Sequence, residues 1–273
     1  MFFDCHTHTV NSDGKNTVWD MCNSAVNKGI SGITITDHAT INFYKDHDTF
    51  NRIKQSIADT IEAKENFRGK LKVLKGIELG EYTYAPKKAD EVLSLGCFDA
   101  VLCSVHLVPK AGWSLAYNRI DFSDPSISDS DINEYIKLYF DLLSETVDCF
   151  DFDILAHIQC PARYITGKFC RKTNVMLFEE KIGEILEKII KRNIALEINT
   201  ARLCSDFGNI NFQTEEILKL YKLLGGKMIT LGSDAHIESS VACNFSEASA
   251  LIKKCGFNSL YYFENRQPRE ILM

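Results

Sequence analysis

Two hydrophobic periods alternate along this chain. Ile33–Thr36, Leu71–Ile77, Ala100–Ser104, Ile154–Ala156, Ile194–Ile198 and Met228–Leu231 are short, β-branched, nearly unbroken apolar runs. That pattern suits parallel strands buried on both faces. Phe2–Cys5 is expected to open the series and Tyr261–Phe263 to close it. Between the runs the apolar positions recur at helical spacing: Phe50, Ile53, Ile57 and Ile61, then Ile132, Tyr135, Ile136, Tyr139, Leu142 and Leu143. A third stripe is Ile182, Ile185, Leu186, Ile189 and Ile190, and a fourth Ile217, Leu218, Tyr221 and Leu224. Such stripes face a core. Repeated strand–helix units predict an α/β fold with a parallel sheet, and about seven or eight units in a chain of this length favour a closed or distorted barrel. No repeat, low-complexity tract or Pro/Gly linker divides the chain, so one domain over 1–273 is expected. The longest expected loop, Leu107–Ser130, is rich in Asp, Ser, Pro and Gly; loops of that length often cover a site.

Composition narrows the function classes. The chain has 273 residues with 31 Lys+Arg against 37 Asp+Glu, a net charge of −6, and no basic block. This gives no electrostatic case for nucleic-acid binding. No apolar run reaches the ~20 residues of a membrane span, and Met1-Phe2-Phe3-Asp4 lacks the basic start of a secretory signal. The ten cysteines include no Cys-x-x-Cys pair, which predicts reduced, mostly buried thiols and a cytoplasmic protein.

Candidate chemistry lies in the histidines. Of the seven, His6, His8, His38, His106, His157 and His236 sit at or just past the end of an expected strand. In a parallel barrel those ends share the face where active sites form. On extended chain, His6 and His8 project to one side, and Asp234 and His236 have the same spacing. Glu78 ends another strand and Asp13 follows the His pair. Taken singly, each has a plainer explanation: a hydrogen-bonded strand-end His, a turn at Asp13-Gly14, a helix cap at Asp37. Together they include nearly every histidine; His47 is the exception and is expected at a solvated helix start. Histidine with carboxylate suits Zn²⁺, Mn²⁺ or Fe²⁺. Nine candidate ligands are too many for one tetrahedral zinc and enough for two or three metals.

The matching segments are His6-Thr7-His8, Ser12-Asp13-Gly14, Thr36-Asp37-His38, Gly76-Ile77-Glu78, Ser104-Val105-His106, Ala156-His157 and Ser233-Asp234-Ala235-His236. In this order they resemble the polymerase and histidinol phosphatase (PHP) superfamily. The resemblance implies a distorted (β/α)7 barrel with a two- or three-metal centre at the C-terminal ends of the strands. It also implies that His6, His8, Glu78 and Asp234 hold one metal, that Glu78, His106 and His157 hold a second, and that Asp13, His38 and His236 hold a third. Within the superfamily the chain looks most like the monofunctional histidinol-phosphate phosphatases, through Gly112-Trp113, His157-Ile158-x-x-Pro161-x-Arg163-Tyr164 and Glu197-Ile198-Asn199-Thr200. It departs from them in a long segment before Asp124-Pro125 and in an Arg, Arg202, that precedes Leu203 rather than following it.

This implies a phosphomonoesterase acting on L-histidinol phosphate, with a hydroxide held between metals as nucleophile. Paired metals suit such chemistry, and fixed positive charge stabilises the transition state. Glu78, Asp234 and Arg163 are the expected catalytic residues. Arg163 and Arg202 are candidate phosphate clamps, since guanidinium offers two parallel donors, and Trp113 is a candidate substrate contact. Tyr82 and Tyr84 read as packing. Three divalent ions would balance the chain's formal −6. Alternatives are a PHP phosphoesterase for phosphotyrosine or nucleotides, and a noncatalytic metal-binding module.

Overall fold

The computed structural model describes residues 1–40, 48–108, 116–201 and 213–273. His47, Trp113 and Arg202 lie outside the described residues. The chain alternates as the periods require. It runs β1 (Phe3–Thr7), α1 (Val18–Asn27), β2 (Gly32–Ile35), β3 (His38–Thr40), α2 (Thr49–Asn66), β4 (Lys72–Gly80), α3 (Pro86–Leu93) and β5 (Ala100–Ser104). It continues with α4 (Asp129–Val147), β6 (Ile154–Leu155), a short turn α5 (Cys160–Ala162), α6 (Glu179–Lys191), β7 (Ala195–Asn199), α7 (Thr214–Leu223), β8 (Ile229–Gly232), α8 (Phe245–Lys254), β9 (Ser259–Glu264) and β10 (Gln267–Leu272).

The parallel strands follow the order β1-β2-β4-β5-β6-β7-β8, and β3 pairs with β4 beyond β2. β2 and β3 are thus one barrel position, interrupted at Thr36-Asp37, and the nine-residue β4 spans both. The far edges meet where Thr7 bridges Ala235, with His8 N–H donating to Ala235 O (2.9 Å) and Asp234 N–H to His6 O (2.8 Å). The result is the expected distorted seven-position barrel, nearly closed. Phe3, Cys5, Leu74, Ala100, Leu102, Ile154, Ala156 and Ala195 fill its interior, and helices pack outside.

Sequence patterns explain the element ends and two differences from expectation. Thr17 with Asp20 and Ser128 with Asp131 form capping boxes at the starts of α1 and α4. The buried face of α2 is Ile53, Ser56, Thr60 and Ala63, and Ile61 is half exposed. The face turns toward the small hydroxyls because Ser56 donates to buried Asp37 and Thr60 to Ser56 O. Tyr261–Phe263 does not close the barrel. It lies in β9, which pairs antiparallel with β10 through Asn265-Arg266, both at positive φ. That is the backbone of a tight two-residue hairpin. Phe263 reaches the barrel interior and Tyr262 stacks on Phe3 at 4.4 Å, covering apolar surface at the strand starts. Among the described residues no helix is long and apolar enough to cross a membrane. The nine described cysteines are free thiols, six of them buried.

Candidate metal centre

The site assembles where strands end. Extended β1 carries His6 and His8 into the mouth of the barrel, both fully buried. The break between β2 and β3 frees Asp37 to accept from Thr9 N–H (2.6 Å), Thr9 Oγ1 (2.8 Å), Ser12 Oγ (2.7 Å) and Ser56 Oγ (2.6 Å). Asp37 is therefore a buried hub that holds the loop leading to Asp13, not a helix cap. A Cβ on Gly14 would stand 2.7 Å from His8 O, so only glycine lets that loop close over the His pair. Under β1, buried Asp4 accepts from Ser233 N–H (2.9 Å) and Ala242 N–H (2.8 Å), tying β8 to β1. Burial pushes its pKa up to about 6 against these hydrogen bonds.

All nine expected ligands converge. Around Glu78 Oε2 lie His6 Nε2 (3.3 Å), His8 Nε2 (3.5 Å) and His38 Nδ1 (2.6 Å). Around Oε1 lie His157 Nε2 (2.8 Å) and His106 Nε2 (3.3 Å). Asp234 Oδ1 is 3.2 Å from His8 Nε2 and 3.8 Å from His6 Nε2, and the two Nε2 atoms are 3.0 Å apart. At the outer edge Asp13 Oδ1 stands 3.1 Å from His236 Nε2 and 3.5 Å from His38 Nε2. His38 therefore faces both Glu78 and Asp13. His157 also groups with His6 and Asp234, and His8 with the Asp13 set.

These residues fit divalent metal ions. Two ligands at zinc–nitrogen distance on one tetrahedral ion sit about 3.3 Å apart, and most of the separations above cluster near that length. Glu78 Oε2, with no exposure, makes no hydrogen bond despite three nearby imidazoles. His6 and His8 point Nε2 at Nε2, an arrangement that a shared cation would satisfy. Four overlapping groups of three or more ligand atoms lie within 4.8 Å of one another.

The electrostatics are those of opposite charges crowded out of water. Burial would raise the carboxyl of Glu78, but His38, His6 and His106 hold it well below its ordinary range. Burial likewise opposes ionisation of Asp234, and His6, His8 and His236 hold it well below. Burial disfavours charge on His6, yet Glu197, Glu78 and Asp234 keep its pKa well above the usual imidazole value. His8 is pushed down to about 3 by burial and by His38 and His236. It is thereby held neutral, the form that ligates. The backbone is strained at two ligands: His157 has φ 24° and Asp234 φ 50°. Such non-glycine conformations cost roughly 1–3 kcal/mol each and cluster at functional sites.

The cavity over the site is about 640 Å³ and is walled by Thr40, Ala116, Tyr117, Asn118, Arg119, Cys160 and Tyr164 besides the ligands. Arg163 is buried and donates from Nη1 to Asp234 Oδ2 at 3.2 Å. It lines an adjoining cavity of about 450 Å³ with Asn199 and Ala201. Tyr82 stacks on Phe150 and donates to Asp90, as packing predicts. Three carboxylates that sequence reasoning left without a role support the ligands: Asp4, Glu81, which accepts from His106 N–H and Leu107 N–H, and Glu197. The available signal was a carboxylate set inside an apolar strand run, as at Asp4 and Glu197, because buried charge is retained only with partners. Arg119 was missed within the expected loop, and Cys160 three residues past His157.

The PHP domain model matches residues 4–201. A probable histidinol-phosphatase of Clostridium acetobutylicum is 28% identical over 97% of this chain and 98% of its own length. One from Thermotoga maritima is 30% identical over 94% of each. A crystal structure of histidinol phosphate phosphatase from Lactococcus lactis, complexed with zinc, L-histidinol and phosphate, superposes with TM-score 0.78 at 23% identity, covering 98% of each chain. The fold is shared with that structure, and the family match spans most of the barrel and seven of the nine converging residues, from His6 to His157. The chain belongs to the PHP domain family.

Proposed function

We propose that this chain is a metal-dependent phosphomonoesterase that hydrolyses L-histidinol phosphate to L-histidinol and phosphate, working as one domain over 1–273. The observation that carries this reading is Glu78, fully buried, with one oxygen facing His106 and His157 and the other facing His6 and His8. A carboxylate so divided is placed to bridge two ions. Its support from relatives is that the C. acetobutylicum and T. maritima proteins are named probable histidinol-phosphatases and the L. lactis enzyme was captured with histidinol and phosphate.

The first ion would be held by His6, His8, Glu78 and Asp234, the second by Glu78, His106 and His157, and a third by Asp13, His38 and His236. Zinc, manganese and iron suit these donors. Bound divalent ions supply fixed positive charge and acidify water for attack on phosphorus. The chain's own groups do the rest. Asp234 lies between His8 and Arg163, and either this ionised carboxylate, relaying a proton from water, or a metal-linked water itself would return the proton to the leaving alkoxide. Arg163 brings a buried guanidinium beside Asp234, from where it would clamp the phosphoryl oxygens. Arg202 and Trp113 are assigned to the phosphate and to the substrate ring. Tyr117 and Tyr164 give the cavity aromatic walls suited to an imidazole.

The test is phosphate release by the chain reloaded separately with zinc, manganese or iron. L-Histidinol phosphate should be cleaved far faster than a phosphotyrosine peptide or a nucleoside monophosphate. Preference for either of the latter would overturn the substrate and keep the chemistry. Tightly held metal with no turnover of any of the three would favour a noncatalytic module.

A further inference from the structure

We propose that Glu197 is the positioning residue of this centre, orienting His6 and pinning His157 with one carboxylate, and that Gly232 supplies the space it occupies. The inference rests on the metal-centre reading above. Glu197 lies in β7, 2% exposed, beneath the ligands rather than among them. Its Oε1 stands 2.7 Å from His6 Nδ1. A proton kept on Nδ1, donated to this carboxylate, makes Nε2 the nitrogen that would give up its proton to a metal, and Nε2 is the atom that faces Glu78 and Asp234. A histidine ligand's second nitrogen is commonly fixed in this way, which sets the tautomer and ring orientation.

The other oxygen acts on backbone. Glu197 Oε2 accepts from His157 N–H at 2.7 Å. β6 ends at Leu155, so no strand partner holds that amide, and His157 sits at positive φ. The carboxylate replaces the missing ladder bond and keeps the strained residue aimed at Glu78. Asn199 Nδ2 donates to the same Oε2 at 3.0 Å and lies 3.4 Å from Asp234 Oδ2. Glu197 therefore touches two ligands and reaches a third through one amide. Gly232 is the independent observation. A Cβ there would stand 1.9 Å from Glu197 Oε1 and 2.6 Å from His6 Cβ, distances no side chain tolerates. The end of β8 is bare at the point where the Glu197–His6 pair needs room.

Glu197→Gln in the full chain tests this. The amide has one acceptor and one donor end, so it cannot accept from both His6 Nδ1 and His157 N–H. Zinc affinity and stoichiometry are measured by competition with a chromophoric chelator, and the visible spectrum of the cobalt-substituted protein is recorded. Zinc binding weakened by about 10–100-fold at one site, with an altered cobalt spectrum in a protein of unchanged far-ultraviolet circular dichroism, is expected. Gly232→Ala keeps the carboxylate but displaces it. It should lose affinity at the same site, and it decides the matter if Glu197→Gln does not fold. Wild-type affinity and spectrum in a folded variant of either kind would overturn the positioning role. A wild-type chain that binds no zinc would instead overturn the metal-centre reading on which it rests.

Discussion

Asp13→Ala separates one part of the centre from the rest. Asp13 belongs to a single ligand group, with His8, His38 and His236, whereas Glu78 and His6 each belong to two. Its side chain is 53% exposed, so truncation leaves no buried void. In the metal-free protein its contacts with His236 (3.1 Å) and His38 (3.5 Å) are those of a surface ion pair, worth about 0–1 kcal/mol. A zinc ion that binds only the folded state, present at a thousand times its dissociation constant, adds about 4 kcal/mol. Unfolding entropy for a chain of this length converts 1 kcal/mol to roughly 2 °C, so that ion raises the melting temperature by about 8 °C. Melting is followed by circular dichroism with chelator and at fixed free zinc, with retained metal counted by atomic emission. The metal-free proteins should melt within about 2 °C of each other. In zinc the wild type should rise about 8 °C further than the variant and retain one more ion per chain. An equal zinc-induced rise in both proteins refutes the assignment of Asp13 to a metal.

Other substitutions probe the remaining roles. Glu78→Gln should remove the ions on both sides of the bridge and abolish phosphate release; retention of wild-type metal content would remove Glu78 from the centre. Arg163→Ala should lower kcat/KM for L-histidinol phosphate by about a hundredfold, the scale of losing one fixed donor at a developing charge. Its zinc content should stay unchanged, and an undiminished kcat/KM in the zinc-loaded variant excludes the role. Phe263→Ala opens the covered end of the barrel interior and should cost about 3–5 kcal/mol of stability by urea titration. A cost under about 1 kcal/mol, the level of a surface change, would mean that the hairpin does not complete the core.

The candidate ligands were legible because their chemistry is rare in a strand. Six histidines at strand ends have no reason to recur there unless the ends meet, and the structure brings all six together with Asp13, Glu78 and Asp234. The supporting carboxylates were harder to read. Asp4 and Glu197 interrupt apolar runs, but a sequence does not say whether such a residue faces a ligand, a backbone amide or water. The hairpin was missed for a related reason. Tyr261–Phe263 has strand composition, and Asn265-Arg266 lacks the glycine that marks most tight turns. Ile61 was placed on a buried stripe by its hydrophobicity, whereas α2 rotates to serve Asp37 through Ser56.

By itself, the sequence determined the alternation of strands and helices, the barrel class and the set of candidate ligands. Period and residue chemistry are local properties that survive without coordinates. Tertiary structure decided which oxygen of Glu78 meets which imidazole, that Arg163 pairs with Asp234, and that Glu197 and Gly232 share one small volume behind His6. Those are distances between residues up to 226 positions apart, as for His6 and Gly232. They exist only once the barrel has closed β8 onto β1.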